Sequence, residues 1–212
     1  MLYLDTLIIL AGGRSSRMGT DKQFMTVDNR LIVDQMIEKL KKHFKEIIIV
    51  TNKPEMYKNY SYKIVEDIVK EFGPLAGIHA GLMNSNSLNN YVLACDMPFV
   101  NFDYICYMQS LLKDDLKGPD AVVTRFGEWI EPFNAFYSKN LINRIEKNIL
   151  LNKRRIVTLF EEAEVLYVPE CKAREFSPKW EMFTNLNTCS DVQQFMIVNE
   201  RNHYDGVKVC TY

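Results

Sequence analysis

The stretch Leu7-Ile8-Ile9-Leu10-Ala11-Gly12-Gly13-Arg14-Ser15-Ser16-Arg17-Met18-Gly19-Thr20-Asp21-Lys22 decides the fold of this chain. It begins as a run of Leu and Ile, which predicts a buried strand. It continues as a glycine-rich loop, and glycines permit positive φ and a close approach between backbone and ligand. Successive free amides in such a loop suit an anion, and Arg14, Arg17 and Lys22 add positive charge. The stretch therefore predicts a phosphate-binding loop at the edge of an α/β sheet.

Two common phosphate-loop fingerprints do not describe this loop. A Walker A loop ends in Gly-Lys-Ser/Thr, whereas here Gly19 is followed by Thr20-Asp21-Lys22. The dinucleotide pattern G-x-G-x-x-G needs a spacing that Gly12, Gly13 and Gly19 do not supply. The sequence thus favours a nucleotide or phosphate site of another kind. A tight strand-to-helix turn with basic surface residues is the alternative.

Composition limits the classes of protein that this chain can belong to. With 212 residues, 47% of them hydrophobic and 25% charged, we expect one folded domain over residues 1–199 and a C-terminal tail at 200–212. A net charge of −1 argues against a nucleic-acid binder, so the anion site must be local. Five scattered cysteines without a C-x-x-C pair are typical of reduced thiols in a cytoplasmic protein and predict no zinc site. Neither a signal peptide nor a membrane span is expected.

Strands and helices alternate along the first half of the chain. Apolar runs predict buried strands at 4–10, 46–51, 62–65 and 90–95, with helices at 31–43, from the Gly73-Pro74 break to about Met83, and at 101–113. The second half is less regular, with strands expected at 120–125, 129–137 and near 164–168, and helices at 138–150, 154–162 and from an N-cap at Thr188 to about Asn199. This order predicts a three-layer, Rossmann-like α/β fold around a mostly parallel sheet, and continuous apolar strands predict a sheet covered on both faces.

Two aspartates follow predicted strands at the edge where ligands collect. In open parallel sheets, ligands bind beyond the carboxyl ends of the strands. Asp67 falls there, and Asp96 follows a buried strand directly in Ala94-Cys95-Asp96-Met97-Pro98. A carboxylate at that point can hold Mg²⁺ between phosphate oxygens. A helix-capping aspartate is the alternative, but the nearby glycine loop favours the metal.

An ordered set of segments resembles a known family. The loop residues Leu10-Ala11-Gly12-Gly13, Ser16-Arg17-Met18-Gly19 and Lys22 are similar to the signature of nucleotidyltransferases of the nucleotide-sugar pyrophosphorylase type, and within that group to molybdenum cofactor guanylyltransferases. The resemblance continues over about residues 5–198, through Val50-Thr51-Asn52, Glu66-Asp67, Gly73-Pro74-Leu75-Ala76-Gly77, Ala94-Cys95-Asp96-Met97-Pro98, Lys153-Arg154-Arg155-Ile156 and Phe183-Thr184-Asn185-Leu186-Asn187-Thr188. Related cytidylyltransferases typically have Ala-Gly at Gly12-Gly13, so the match favours GTP.

The resemblance implies a reaction and its cofactor. The family transfers GMP from GTP to the terminal phosphate of Mo-molybdopterin and releases pyrophosphate. Because the nucleophile is an ionised phosphate, the chemistry needs charge neutralisation and in-line positioning rather than a general base. Mg²⁺ is the implied cofactor, and proteins that deliver the cofactor or mature molybdoenzymes are candidate partners.

The resemblance also assigns roles to individual residues. GTP contacts are implied for Leu10, Ala11, Gly12, Gly13, Lys22, Asn52, Asp67 and Asp96. Catalytic charges are implied for Arg17, Lys22 and Asp96, with Asp96 as the metal ligand. Contacts to the pterin substrate are implied for Arg154, Arg155, Asn185 and Asn187, although a solvated helix start is the alternative for the arginine pair. Glu131 lies in a segment that matches the family only loosely, and it is assigned no role.

Two other classes of function remain open from the sequence. One is a related nucleotidyltransferase, for cytidylyl transfer to molybdopterin or nucleotidyl transfer to a sugar phosphate. The other is a nucleotide-binding module without enzymatic activity. Lys22 and Asp96 together favour an enzyme, because a pure binder need not retain both a phosphate-binding lysine and a metal carboxylate.

Overall fold

A computed structural model describes residues 4–12, 26–27, 30–67, 69, 72–113, 118–186, 191 and 195. The strands are β1 (Leu4–Leu10), β2 (Thr26–Val27), β3 (Arg30–Leu31), β4 (Phe44–Val50), β5 (Lys63–Val65), β6 (Asn89–Ala94), β7 (Ala121–Phe126), β8 (Trp129–Ser138) and β9 (Val165–Pro169). The helices are α1 (Ile32–Leu40), α2 (Pro74–Asn84), α3 (Phe102–Lys113), α4 (Ile142–Leu150) and α5 (Glu170–Phe176). Short 3₁₀ turns lie at Pro54–Tyr57, Lys139–Leu141, Ile156–Leu159 and Glu181–Phe183. Within these ranges, no helix has the length and apolar character of a membrane span.

A seven-stranded sheet forms the centre of the molecule, in the order β5-β4-β1-β6-β8-β7-β9. Strands β5, β4, β1 and β6 run parallel, and so do β7 and β9. Only β8 reverses direction among them, pairing antiparallel with both β6 and β7. The prediction of an α/β fold with a mostly parallel sheet is therefore confirmed.

Helices cover both faces of the sheet, which is why the central strands are apolar at consecutive positions. On β1, Leu7 and Ile9 pack with residues of α1 and α3, whereas Ile8 packs with residues of α2 and α4. The contact between α2 and β1 is especially close, because an ideal Cβ placed on Gly81 would lie 2.6 Å from Ile8 Cγ2. Small residues in α2 are thus required by its distance from the sheet.

The second half of the chain differs from its prediction in two places. The helix expected at 154–162 is a single 3₁₀ turn, Ile156–Leu159. This short turn already buries its apolar end residues, Ile156 and Leu159, so burial does not require a longer helix. Helix α5 was not predicted, because it has seven residues between Pro169 and Ser177 and only Ala173 is fully buried. Of the last predicted helix, Asp191 and Phe195 are helical, while its ends, with the tail at 200–212, lie outside the described residues.

Candidate functional site at the carboxyl edge of the sheet

The carboxyl ends of three neighbouring strands lie side by side. Leu10 is opposite both Val50 of β4 and Ala94 of β6. The pairing extends one residue beyond the strands, since Ala11 N donates to Val50 O at 2.8 Å and Cys95 N donates to Leu10 O at 3.1 Å. The residues that follow these three strands therefore share one edge, and Asp96, which follows Cys95, is among them.

Gly12 lies against the loop that follows β4. An ideal Cβ on Gly12 would lie 3.7 Å from the backbone nitrogen of Asn52 and 3.9 Å from Thr51 Cα. Gly12 and Asn52 are exposed, whereas Leu10 and Ala11 are buried. Of these four residues, Gly12 and Asn52 are therefore the ones that a ligand at this edge meets first.

Asp67 lies over the first turns of α2. An ideal Cβ on Gly77 would lie 3.5 Å from Asp67 Oδ1 and 3.3 Å from Leu10 Cδ2, so glycine leaves room for the carboxylate beside the end of β1. Burial raises the pKa of Asp67 above its ordinary value. A partly dehydrated carboxylate is a strong acceptor for N–H or O–H groups of a ligand. This geometry suits an acceptor that faces a nucleoside.

Asp96 has a second carboxyl group near it. Glu131, in β8, is buried, and burial is the main reason why its pKa rises to about 7. The Phe133 N–H donates to Glu131 Oε1 at 3.1 Å and lowers the pKa, whereas the negative charge of Asp96 raises it. Sequence reasoning gave Glu131 no role, although a charged residue directly after Ile130 in an apolar strand was the available signal.

These two carboxyl groups fit a divalent cation that takes only a few of its ligands from the protein. Mg²⁺ is commonly held by one or two carboxylates, with substrate phosphates and water completing its shell. Across the described ranges, no group of three or more metal-ligating side chains occurs. A cation held at Asp96 would thus depend on phosphate oxygens for most of its ligands.

The 3₁₀ turn Glu181–Phe183 brings a C-terminal segment to the same edge. Met182 O accepts from Asn134 Nδ2 of β8 at 3.0 Å, and Leu186 N donates to Asp96 O at 2.8 Å. Between these two bonds lies Asn185, whose Oδ1 is buried and has no hydrogen-bond partner within the described part of the chain. Because an unpaired buried acceptor is costly, this amide is a group that a bound ligand or water would satisfy.

Arg154 and Arg155 lie on the other side of the edge. Arg154 Nε donates to Asn152 Oδ1 at 3.0 Å, and its guanidinium carbon lies 5.2 Å from the ring centroid of Phe72, which packs with the α2 and α4 layer. Leu186, next to Asn185, packs with the α1 and α3 layer instead. Of the predicted pterin contacts, Arg154 and Asn185 therefore lie with different layers and do not form one cluster.

Some predicted site residues cannot be placed. Gly13, Arg17, Lys22 and Asn187 lie outside the described residues.

The chain is similar to known proteins along most of its length. Residues 7–165 match the family described as MobA-like NTP transferase domain. A molybdenum cofactor guanylyltransferase of Syntrophotalea carbinolica is 45% identical over 194 residues, which cover 92% of this chain and 91% of that protein. A protein of Peptoclostridium acidaminophilum named "Probable molybdenum cofactor guanylyltransferase" is 45% identical over 202 residues, which cover 94% of this chain and 91% of that protein.

A solved structure shows the same architecture. The crystal structure of molybdopterin-guanine dinucleotide biosynthesis protein A from Archaeoglobus fulgidus superposes with a TM-score of 0.78 at 26% sequence identity. The match covers 92% of this chain and 99% of that one.

Proposed function

The chain belongs to the family of MobA-like NTP transferase domains, and from this premise we propose that it transfers GMP from GTP to the terminal phosphate of Mo-molybdopterin. The products are molybdopterin guanine dinucleotide and pyrophosphate. The observation that carries the proposal is the 45% identity to a molybdenum cofactor guanylyltransferase across more than nine tenths of both chains. The arrangement of acceptors and carboxylates at the carboxyl edge of the sheet supports it.

GTP binds across the ends of β1 and β4 in this proposal. The contacts are Leu10, Ala11 and Gly12 through their backbone, with Gly13, Asn52 and Asp67 completing the nucleoside pocket. Asp67 accepts from the N1–H and 2-amino donors of guanine or from the ribose. Its position between α2 and the end of β1 supports this role, because few polar groups of the ligand could satisfy a half-buried carboxylate as well as paired N–H donors.

In this proposal, the phosphate groups of the reaction are bound by charged residues, Arg17, Lys22 and Asp96. Lys22 and Arg17 bind the triphosphate, and Asp96 would hold Mg²⁺. The bound cation would reduce the repulsion between the incoming phosphate and the triphosphate. The attacking oxygen is already ionised, so these residues need only align it with the α-phosphorus and neutralise charge as pyrophosphate leaves.

Mo-molybdopterin binds on the opposite side of Asp96. Asn185 and Asn187 contact it from the C-terminal segment, and Arg154 and Arg155 contact it from the far side of the edge. The Oδ1 of Asn185 supports its assignment, because it is buried and has no hydrogen-bond partner among the residues that the structure describes. Proteins that deliver molybdopterin or receive the dinucleotide are the expected protein partners.

A nucleotide panel tests the proposal directly. The purified protein is incubated anaerobically with Mg²⁺, Mo-molybdopterin and GTP, CTP, UTP or ATP in turn, and pyrophosphate release and product mass are measured. Of the four nucleotides, we expect only GTP to be turned over. A wrong base would leave buried polar groups of the pocket unpaired, and each such group costs about 1–3 kcal/mol of binding free energy. Turnover with CTP would make the protein a cytidylyltransferase. Turnover with a sugar phosphate, or GTP binding without any turnover, would favour the other two alternatives.

A further inference from the structure

The hairpin formed by β7 and β8 extends past the edge at which β6 ends. The last paired residue of β6 is Leu93, opposite Asn134, whereas β8 begins at Trp129. Strand β8 has extra residues between Phe136 and Glu131, so its reach is given by its partner β7, where Phe126 lies four residues beyond Val122. Two of these four residues run beside β6, and at about 3.4 Å per residue the hairpin continues roughly 7 Å beyond the end of the β6 pairing. The first residues of β8 therefore overhang the edge that carries Asp96, on the side away from β1 and β4.

Two residues of this overhang, Trp129 and Glu131, face the same layer as Asn185. Opposite residues in an antiparallel pair share a face, and Phe126 is opposite Trp129 while Thr124 is opposite Glu131. The Thr124 hydroxyl bonds to the hydroxyl of Tyr104 in α3, which fixes the face. Trp129 thus lies on the α3 side, as does the C-terminal segment that is bonded to Asp96.

An aromatic cluster fills the space between the overhang and that segment. The Phe126 ring meets Trp180 edge-on at 4.3 Å and Phe183 at 5.1 Å between centroids. Trp180 has φ of 67°, a conformation that bulky residues rarely adopt, and the guanidinium carbon of Arg174 lies 4.1 Å from its ring centroid. Since these rings pack against one another, the cluster gives Trp129 a firm neighbour at Phe126.

The side chain of Trp129 itself is not buried by this packing. Its side chain is 65% exposed at the tip of the hairpin, whereas most tryptophans are largely buried. A large exposed aromatic ring beside a ligand site is typical of a surface that stacks on a planar ligand. The acceptor is such a ligand, because its phosphate is one end of the molecule and its pterin ring is the other.

We propose that Trp129 stacks on the pterin ring of the acceptor while the acceptor phosphate lies at Asp96. This inference rests on the proposed function. Trp129 precedes Glu131, which lies near Asp96, by two positions, so it is about 7 Å further out along the strand. The spacing suits a molecule whose pterin is separated from its phosphate by a pyran ring and one carbon. Trp129 is therefore an acceptor-binding residue with no contact to GTP.

Substitution by residues of decreasing aromatic character tests the stacking. Trp129→Phe, Trp129→Leu and Trp129→Ala are compared in steady-state kinetics with varied Mo-molybdopterin and saturating GTP. We expect KM for molybdopterin to rise about tenfold in the Leu and Ala variants and only slightly in the Phe variant, with kcat unchanged in all three. The Kd for GTP, measured by calorimetry without acceptor, stays at the wild-type value.

The control is Leu88→Ala, which removes another exposed apolar side chain at the opposite end of β6. It should change neither constant. A wild-type KM in Trp129→Ala would overturn the inference, and so would equal KM values for the Phe and Leu variants, because a nonaromatic apolar contact would then suffice. If the wild-type protein does not turn over molybdopterin at all, the proposed function fails instead, so the two failures are distinguishable.

Discussion

The backbone N–H of Leu186 donates to the carbonyl oxygen of Asp96 at 2.8 Å. This bond joins the C-terminal segment to the end of β6, so the backbone of Asn185 is held close to that of Asp96. It uses only backbone atoms, and a change of the Asp96 side chain need not disturb it. The site can therefore be tested at Asp96 without undoing its framework.

Replacement of Asp96 by Asn separates a metal ligand from a structural cap. Asp96→Asn keeps the size of the side chain and removes its charge, so we expect turnover to fall on the order of 10²-fold or more with an unchanged melting temperature. Without Mg²⁺, GTP binding should stay the same or tighten. Asp103→Asn, at an exposed position of α3, is the matched control. Early melting with a retained rate would show that Asp96 is a cap.

Loss of Lys22 should affect the reaction rather than the fold. We expect Lys22→Ala to lower turnover on the order of 10²-fold or more, as when a charge that stabilises a transition state is removed. Pyrophosphate release and thermal melting are measured on the same preparation. Lys179→Ala, which removes an exposed lysine elsewhere, should leave both unchanged. Near-normal pyrophosphate release from the Lys22 variant would show that Lys22 is a surface charge without a role in the reaction.

Asp67 can be tested with nucleotides that differ by one group. Asp67→Asn places an N–H donor where guanine also has donors, so we expect GTP affinity to fall by about 1–3 kcal/mol. ITP lacks the 2-amino group, and wild-type protein should bind it more weakly than GTP, whereas the variant should discriminate less. Calorimetry supplies the affinities. Equal losses for GTP and ITP would place Asp67 at the ribose.

The stability of the fold should depend on the ionisation of Glu131. Its pKa is about 7 in the folded state against an ordinary value of 4.5, so its contribution is fully present below pH 4.5 and is lost as the pH rises through 7. Glu131→Gln removes this loss. We expect the variant to gain, relative to wild type, on the order of 3 kcal/mol of unfolding free energy between pH 4.5 and pH 8. Urea unfolding with a chelator measures it, and the exposed Glu128→Gln should show no such gain.

Two glycines of α2 should respond differently to a methyl group. Gly81→Ala places Cβ 2.6 Å from Cγ2 of Ile8, whose branched side chain is buried and cannot move aside, so we expect a loss of about 1–3 kcal/mol in stability. Gly77→Ala meets the end of the Leu10 side chain at 3.3 Å, Asp67 Oδ1 at 3.5 Å and Val50 Cγ1 at 3.9 Å, which are milder contacts. It should weaken GTP binding more than stability. Melting curves and GTP titrations that showed the same effect for both would contradict this division.

The first half of the fold could be predicted because its strands are buried on both faces. Consecutive apolar residues in β1 and β6 report that burial directly, and turn residues mark where the strands end. The direction of β8 could not be predicted, since an apolar run has the same composition whichever way it pairs. Helix α5 was missed because one buried residue, Ala173, gives no periodicity.

Candidate site residues could be predicted only where a suitable side chain directly follows a recognisable strand in the sequence. Asp96 was found because it follows a strand directly. Glu131 was missed because its nearness to Asp96 arises from the reversed strand, which no local pattern encodes. The position of Asn185 beside Asp96 likewise depends on a hydrogen bond between residues 90 positions apart, Leu186 and Asp96.

The reversal of β8 has a consequence for how such an enzyme can change over time. In the proposed function, the nucleotide lies at the ends of β1 and β4, and the hairpin of β7 and β8 overhangs the other side of the edge. Within the sheet, the parallel strands β5, β4, β1 and β6 are joined to β8 by one antiparallel ladder, whose backbone hydrogen bonds do not depend on side-chain identity. If the acceptor binds at Trp129 as proposed, substitutions at the hairpin tip can alter the choice of acceptor while the proposed nucleotide pocket stays as it is, so the two specificities can be inherited and modified separately.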